Sequence, residues 1–148
     1  MSNHEPLPLE TTIRVRDTCL CLHLQRAARA VARRFDELLR PSGLTSGQFS
    51  LLMSLNRAEP PTIRSVAELL AMDRTTLTAN LKPLERRGLV RVRVDQADRR
   101  NRRLALTARG RAVLIAALPA WENGHAMIEP VLAGRKADRL RADLRSLA

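Results

Sequence analysis

Residues 72–107 read MDRTTLTANLKPLERRGLVRVRVDQADRRNRRLALT, and this stretch decides the fold. Its first half has the spacing of an amphipathic helix, because apolar residues recur at i, i+4 and i+7. Asp73 is a good N-cap for that helix, and Gly88 can end it in the left-handed conformation. The leucines on its buried side are Leu77, Leu81 and Leu84.

After Gly88 the period changes from helical to alternating. The run LVRVRV (residues 89–94) and the run RRLALT (residues 102–107) each place apolar side chains on one side only. The intervening DQADRRN is rich in turn-forming and basic residues. We therefore predict a two-stranded hairpin, or wing, with a basic loop at its tip.

Upstream of this stretch, the pattern predicts two more helices. Thr45 is a plausible N-cap for a helix whose apolar side includes Phe49. Ser65 and Glu68 have the spacing of a capping box and open a shorter helix. About four residues separate the end of that helix from the next, which is the connection of a helix-turn-helix.

Longer helical patterns flank this central region. One runs from Arg16 to Arg40, and Thr107 caps another that Pro119 and Pro130 should kink or interrupt. A last amphipathic helix is predicted within residues 134–148. Leaving the outer stripes in water would expose a large apolar patch. The terminal helices could cover these stripes by packing on each other within one chain, but we favour a homodimer.

The predicted fold is mainly α with a small β-hairpin wing, in a single domain of 148 residues. A winged helix-turn-helix over residues 45–107 is flanked by N- and C-terminal dimerisation helices over residues 16–40 and 108–148.

Charge is concentrated in the region of the hairpin. The chain carries a formal net charge of +11, and only two of its 26 basic residues are lysines. Between Arg74 and Arg111 there are 12 basic and 3 acidic residues, so this segment holds +9 of the +11. Such clustering predicts a polyanionic partner. Aromatic residues are 2% of the chain, which disfavours stacking platforms for single-stranded nucleic acid.

Several other classes are disfavoured. The start, MSNHEPLPLETT, lacks the apolar core of a signal peptide, and no apolar run is long enough for a membrane span. Two cysteines do not make a disulfide framework, so we expect a reducing cytoplasm. No catalytic motif, metal-spaced cluster or cofactor-binding loop appears, so we expect no enzyme, metal or cofactor.

The exposed face of the helix after Asp73 suits a DNA major groove. Small and hydroxyl side chains allow close approach, and threonine can bond to phosphate or a base edge. The candidate DNA contacts on this helix are Arg74, Thr75, Thr76, Thr78 and Lys82. The wing adds Arg99, Arg100, Arg102 and Arg103, and arginine can enter a narrow minor groove. Together these elements predict binding to double-stranded DNA.

The sequence resembles the MarR-type winged-helix transcriptional regulators in three runs: LTSGQFSLL, VAELLAMDRTTLTANLKPLERRGLV and DQADRRNRRLALTARG. The resemblance covers about residues 16–148. It implies a homodimeric repressor that a ligand or an oxidant releases from a palindromic operator. It also implies that Asp98 orders the wing, Arg100 supports it and Arg99 lies nearest the minor groove. Many relatives have arginine where this chain has Ala79, so the operator should not be inferred by analogy.

Two switches remain open. One is a small apolar or aromatic effector, such as an acid or thioester, which the resemblance implies would enter a cleft between the terminal helices and the second helix. His23, Arg26 and Arg29 could meet a carboxylate there. The other is oxidation of Cys21, whose surroundings resemble the organic-peroxide-sensing branch of the family. That branch uses tyrosines, and this chain has none, so we favour Cys21 as a packing residue.

Two further points concern a possible disulfide between the cysteines and a rival DNA-binding function. If Cys19 and Cys21 share a helix, they point about 200° apart and cannot bridge each other, although a bridge between subunits stays open. The rival function is a sequence-independent DNA-coating protein, which would share the basic charge but not the preference for an operator.

Overall fold

The computed structural model describes residues 6–132 and 136–148. Seven α-helices and one hairpin follow in chain order within these residues: α1 (Leu9–Thr18), α2 (Leu20–Leu39), α3 (Ser46–Ser54), α4 (Ile63–Leu69), α5 (Arg74–Arg86), β1 (Val90–Val94), β2 (Arg102–Leu106), α6 (Ala108–Ile128) and α7 (Lys136–Arg145). Short 3₁₀ turns follow α2 and α6, at Arg40–Ser42 and Glu129–Leu132. The predicted fold class, mainly helical with one hairpin, is confirmed.

Three helices begin at the residues that the sequence predicts. The side chains of Thr45, Asp73 and Thr107 accept hydrogen bonds from the backbone N–H three residues on, at 3.2, 2.7 and 2.9 Å. Thr45 also forms a full capping box with Gln48. Each cap satisfies a backbone donor that would otherwise lack a partner at the start of its helix.

The predicted capping box of Ser65 and Glu68 is wrong. The N-cap of α4 is Thr62, whose hydroxyl oxygen accepts from the Ser65 N–H at 3.1 Å, so Ser65 lies inside the helix. Glu68 pairs instead with Arg64 one turn earlier. A hydroxyl three residues before another hydroxyl offers two possible starts, and the bulk of Ile63 in the core favours the earlier one.

The single N-terminal helix predicted from Arg16 to Arg40 is also wrong. Helix α1 ends at Thr18, Cys19 adopts an extended conformation (φ −70°, ψ 108°), and α2 begins at Leu20. The Cys19 sulfur takes the N-cap position and accepts from the Leu22 N–H at 3.5 Å. Cys19 and Cys21 therefore do not share a helix, and the 200° separation does not apply.

Helices α4 and α5 form the helix-turn-helix, with residues 70–73 between them. In this turn Ala71 adopts a left-handed conformation with φ 51°. Gly88 ends α5 with φ 70°, and its N–H donates to the Glu85 carbonyl. The hairpin is antiparallel, with Val90 opposite Leu106 and Val94 opposite Arg102. Only residues 87–89 separate α5 from β1, so the helix and the wing are neighbours in the fold.

The core lies under α5 and extends along α2, α3 and α6. Leu77, Leu81 and Leu84 are buried as the periodicity predicts. The other large, fully buried side chains among the described residues are Leu39, Leu51, Leu52, Leu89, Leu104 and Val66. This core fixes the outer face of α5 because the opposite side of the helix is committed to packing.

The outer helices keep apolar side chains in water. Helix α6 runs through Pro119 without ending, and a 3₁₀ turn containing Pro130 follows it. Arg141 of α7 pairs with Glu129 of that turn. Exposed apolar residues on α1, α6 and α7 include Ile13, Val15, Ile115, Met127, Leu140 and Leu144. Gly134 and Arg135 of the predicted last helix lie outside the described residues.

Candidate DNA interface

The outer face of α5 presents every helix residue predicted to contact DNA. Arg74, Thr75, Thr76, Thr78 and Lys82 are all exposed, and so is Ala79 at the middle of the face. The small side chains at the centre let the helix approach a groove floor, while Arg74 and Lys82 stand at its two ends. This is the shape and charge of a helix that can lie in a major groove.

Two of the three threonine hydroxyls are engaged inside the helix. Thr76 donates its hydroxyl proton to Asp73 at 2.8 Å, and Thr78 donates to the Arg74 carbonyl at 2.8 Å. The backbone N–H and then the hydroxyl of Thr76 hold the pKa of Asp73 below its usual value. Thr76 and Thr78 therefore offer mainly methyl groups and oxygen lone pairs to a ligand. Thr75 is the better candidate for a donated hydrogen bond.

The tip of the wing is shaped by backbone hydrogen bonds around Asp98. The Asp98 carboxylate accepts from the Arg100 N–H at 3.0 Å, and its carbonyl accepts from the Asn101 N–H at 2.9 Å. The Arg102 guanidinium donates back to the Arg99 carbonyl at 3.0 Å. Arg99 and Arg100 extend from this turn into solvent, whereas Arg102 is partly occupied in closing the loop.

The start of the tip loop is held by a pair that the sequence analysis did not single out. Asp95 has only 7% of its surface exposed, and its carboxylate lies 3.2 Å from the Arg103 guanidinium. Arg103 also donates to the Pro60 carbonyl at 2.8 Å. The Ala97 N–H and then Arg103 hold the pKa of Asp95 below its usual value. Arg103 therefore ties the start of the tip loop to the segment before α4, and its guanidinium is engaged within the protein.

An aromatic cleft lies between α3, α4 and α6, remote from the wing. Phe49 and Trp121 stack with ring centroids 6.1 Å apart at an angle of 20°. On one side of this pair is a mostly apolar cavity of about 400 Å³, and on the other a smaller one of about 160 Å³. The His125 ring lines the smaller cavity, 4.4 Å from Trp121 and 5.0 Å from Phe35.

The residues predicted to meet an effector lie elsewhere. His23, Arg26 and Arg29 share an exposed groove along α2 alone, and a ring nitrogen of His23 is 2.7 Å from the Cys19 carbonyl. The structure brings these three side chains together but does not join them to the aromatic cleft. Cys21 is exposed and its sulfur accepts from the Gln25 amide at 3.2 Å.

No group of three or more histidine, cysteine, aspartate or glutamate side chains among residues 6–132 and 136–148 is placed to hold a metal ion. Within the same ranges, no helix combines the length and apolar character needed to cross a bilayer.

A helix-turn-helix with an exposed small-residue face, joined to an arginine-tipped wing, defines a winged-helix DNA-binding protein of the transcription-regulator class. Residues 42–101 match the family model described as the MarR family. The chain belongs to the MarR family, whose members are regulators and not enzymes.

Solved structures resemble most of the chain. The transcriptional regulator MosR of M. tuberculosis is 39% identical with a TM-score of 0.75, over 88% of this chain and 93% of that one. In its complex with DNA the identity is 41% and the TM-score 0.75, over 87% and 92%. The repressor CouR bound to a 23-mer DNA duplex is 30% identical with a TM-score of 0.77, over 97% and 99%.

Two further comparisons concern a ligand and a curated relative. CouR of Rhodococcus jostii RHA1 bound to p-coumaroyl-CoA is 26% identical with a TM-score of 0.76, over 88% of this chain and 92% of that one. The regulator TtmR of Methylorubrum extorquens is 35% identical over 97 residues, 66% of this chain. The matched region spans half of TtmR.

Proposed function

We propose that this protein is a homodimeric cytoplasmic repressor that binds a palindromic DNA operator and is released by a small aromatic or acyl effector. The observation that carries the proposal is the placement of two DNA-compatible elements at one corner of the core. The exposed face of α5 suits a major groove, and the exposed guanidinium groups of Arg99 and Arg100 on the wing suit a minor groove.

The proposed DNA contacts fall into two groups, those on α5 and those on the wing. Thr75, Thr76 and Thr78 supply base or phosphate contacts from the centre of the helix, while Arg74 and Lys82 bind phosphates at its ends. Arg99 enters the minor groove, Asp98 and Arg100 hold the wing tip in shape, and Arg102 contributes charge from the second strand. The Asp98–Arg100 and Arg102–Arg99 hydrogen bonds support this assignment.

A second copy of the chain is the proposed cover for the outer helices. Ile13 of α1 and Leu140 and Leu144 of α7 are each about 40% exposed, and Val15 is 51% exposed. Exposed apolar stripes on elements outside the central fold are the usual mark of an interface between subunits. A two-fold dimer would present two α5 helices about one turn of DNA apart, which matches a palindrome.

The aromatic cleft is the proposed effector site. Its larger cavity of about 400 Å³ lies within the range of small-molecule pockets, and its walls include Phe49, Met53, Leu118 and Trp121. Because Leu69 of α4 and Leu70 of the turn that follows also line this cavity, an occupant would touch both the helix-turn-helix and α6. The CouR complex with an aromatic acyl thioester supports the ligand class. His23 and Arg26, on α2, remain candidates for a second, anionic contact.

The DNA-binding proposal is tested by a mobility shift. The probe is the DNA upstream of this chain's own gene, with random duplex as competitor at near-physiological salt. We expect a specific complex that Arg99→Ala weakens by roughly one to two orders of magnitude, given about 1–3 kcal/mol for a good groove contact. Arg34→Ala is the control, because it removes an equal charge from α2, outside the winged helix.

The outcomes of the mobility shift separate the rival functions. Equal affinity for the probe, for duplexes selected from a random pool and for bulk DNA would indicate a DNA-coating protein instead. Loss of the specific complex with peroxide and its return with reductant would indicate a thiol switch. An unchanged affinity for Arg99→Ala would refute the wing assignment.

The effector site has a built-in reporter, since Trp121 is the only tryptophan in the chain. Titration with p-coumarate and with p-coumaroyl-CoA should change Trp121 fluorescence and release DNA at the same ligand concentrations. Met53→Glu would place a charge in the cavity and should abolish both effects. Fluorescence changes with no release of DNA would make the cleft a binding site without a regulatory role.

A further inference from the structure

We propose that Asp95 and Arg103 are positioning residues that set the orientation of the wing, and that operator specificity through Arg99 depends on this pair. The inference rests on the proposed DNA-binding function and assigns a role to two residues that lie on either side of Arg99 along the chain, at the edge of the tip loop. It follows from the burial of Asp95, from the hydrogen bonds between the wing and the α3–α4 loop, and from the negative charge of Asp95, which would repel DNA phosphates.

The pair links three pieces of chain. Asp95 closes β1, and its carboxylate accepts from the Ala97 N–H at 3.1 Å on one oxygen while the other faces the Arg103 guanidinium. Arg103 on β2 reaches across to the Pro60 carbonyl in the loop before α4. Each group therefore binds a partner on a different segment.

Backbone contacts run beside these side chains. The Leu104 N–H donates to the Pro61 carbonyl at 2.9 Å, and Thr62 forms an isolated antiparallel bridge with Arg103. Since Thr62 is also the N-cap of α4, the wing is joined to the start of the helix-turn-helix. A hairpin of two strands has little stiffness of its own, so its angle to α5 depends on these ties.

The change in DNA affinity on removing the Asp95 charge distinguishes a role in orienting the wing from a simple charge effect. An acidic residue in a DNA-binding wing repels phosphate, so its removal should strengthen binding if charge alone mattered. A residue that positions Arg99 has the opposite effect, because its loss lets the wing swing away from the groove. Asp95→Asn keeps the size of the side chain and, through its amide oxygen, an acceptor for the Ala97 N–H. The carboxylate oxygen that faces Arg103 is then replaced by an amide NH₂, which cannot accept from the guanidinium.

The test is a double-mutant cycle between Asp95→Asn and Arg99→Ala, measured on a duplex selected from a random pool by the wild-type protein. We expect Asp95→Asn to reduce affinity for this duplex roughly tenfold when Arg99 is present and less than about twofold in the Arg99→Ala background. Affinity for random duplex should stay the same or rise. Hydroxyl-radical footprints should lose minor-groove protection at the flanks and keep the central major-groove protection.

Glu85→Gln is the matched control, because it removes one exposed acidic charge from α5 without touching the wing. It should strengthen binding slightly to every duplex. Arg103→Gln should reproduce Asp95→Asn, which guards against a fault of one substitution. Folding of each variant is checked by circular dichroism at the binding temperature.

Two results would overturn the proposal: tighter binding by Asp95→Asn on all duplexes, as for Glu85→Gln, or an equal loss in both Arg99 backgrounds. The proposed DNA-binding function fails separately, if the wild-type protein shows no preference for its selected duplex over random DNA.

Discussion

Gly110→Ala should destabilise the protein although alanine is the better helix former. Gly110 lies in the first turn of α6, where a Cβ would come within 2.2 Å of the Leu89 carbonyl oxygen and 2.8 Å of a Leu106 methyl carbon. Alanine gains about 1 kcal/mol over glycine inside a helix. Overpacking a tight site costs about 1–3 kcal/mol.

The Leu89 carbonyl cannot move away at low cost. It accepts from the Thr107 N–H at 3.1 Å, and it shares the single hydroxyl proton of Thr107 with the Gly88 carbonyl, at 3.0 and 2.7 Å. A shift therefore also weakens at least one hydrogen bond of about 1 kcal/mol. We therefore expect a net loss of about 1–3 kcal/mol in the free energy of unfolding. For a chain of this length that lowers Tm by roughly 3–10 °C.

The assay is urea denaturation followed by circular dichroism, with all variants at one protomer concentration because a dimer unfolds in a concentration-dependent way. Gly47→Ala in α3 is the control, since its Cβ would meet nothing within 4 Å. That variant should match the wild type or gain up to about 1 kcal/mol. A Gly110→Ala protein as stable as Gly47→Ala would refute the reasoning, because it would mean that α6 does not approach Leu89 this closely.

Three further predictions concern the helix-turn-helix. Thr75→Ala should change the preferred base sequence of a selected duplex with little change in salt dependence, whereas a uniform loss on all duplexes would make Thr75 a phosphate contact. Asp73→Asn should have a lower free energy of unfolding than the wild type at neutral pH, and the difference should shrink as pH falls below about 4. The reason is that a carboxylate whose pKa is lowered by folding stabilises the protein only while it is ionised. A difference that stays constant from pH 6 to pH 2 would contradict this. Ala71→Gly should raise the free energy of unfolding by up to about 1 kcal/mol, because φ 51° suits glycine, and a lower value in urea denaturation would show that the turn is unstrained.

Local signals in the sequence predicted the centre of the fold well. The caps at Asp73 and Thr107 and the stop at Gly88 depend on residues within one helical turn, where side-chain chemistry and spacing decide the outcome. The change from helical to alternating period after Gly88 likewise reports which side of each element is buried. The outer face of α5 followed directly, because burying three leucines leaves only one side for a ligand.

Features that join distant segments were not predictable in the same way. Phe49 and Trp121 are 72 positions apart, and each has the spacing of an ordinary apolar helix residue, so nothing local marks them as a stacked pair. The Arg103–Pro60 contact spans 43 positions. The helix break at Cys19 was missed because no proline or glycine marks it, and the sulfur itself serves as the cap.

The hydroxyl of Thr107 ties the first turn of α6 to the end of α5. It donates to the Gly88 carbonyl at 2.7 Å, so the end of α5 and the start of α6 meet at one side chain. A 21-residue helix is about 30 Å long at 1.5 Å per residue. Tilting such a rod by about 5° about its first turn moves its far end by about 2.6 Å. Trp121 lies about two thirds of the way along the rod, roughly 20 Å from the first turn, so a shift of about 1 Å at its ring corresponds to a tilt of about 3° at the joint between α6 and α5.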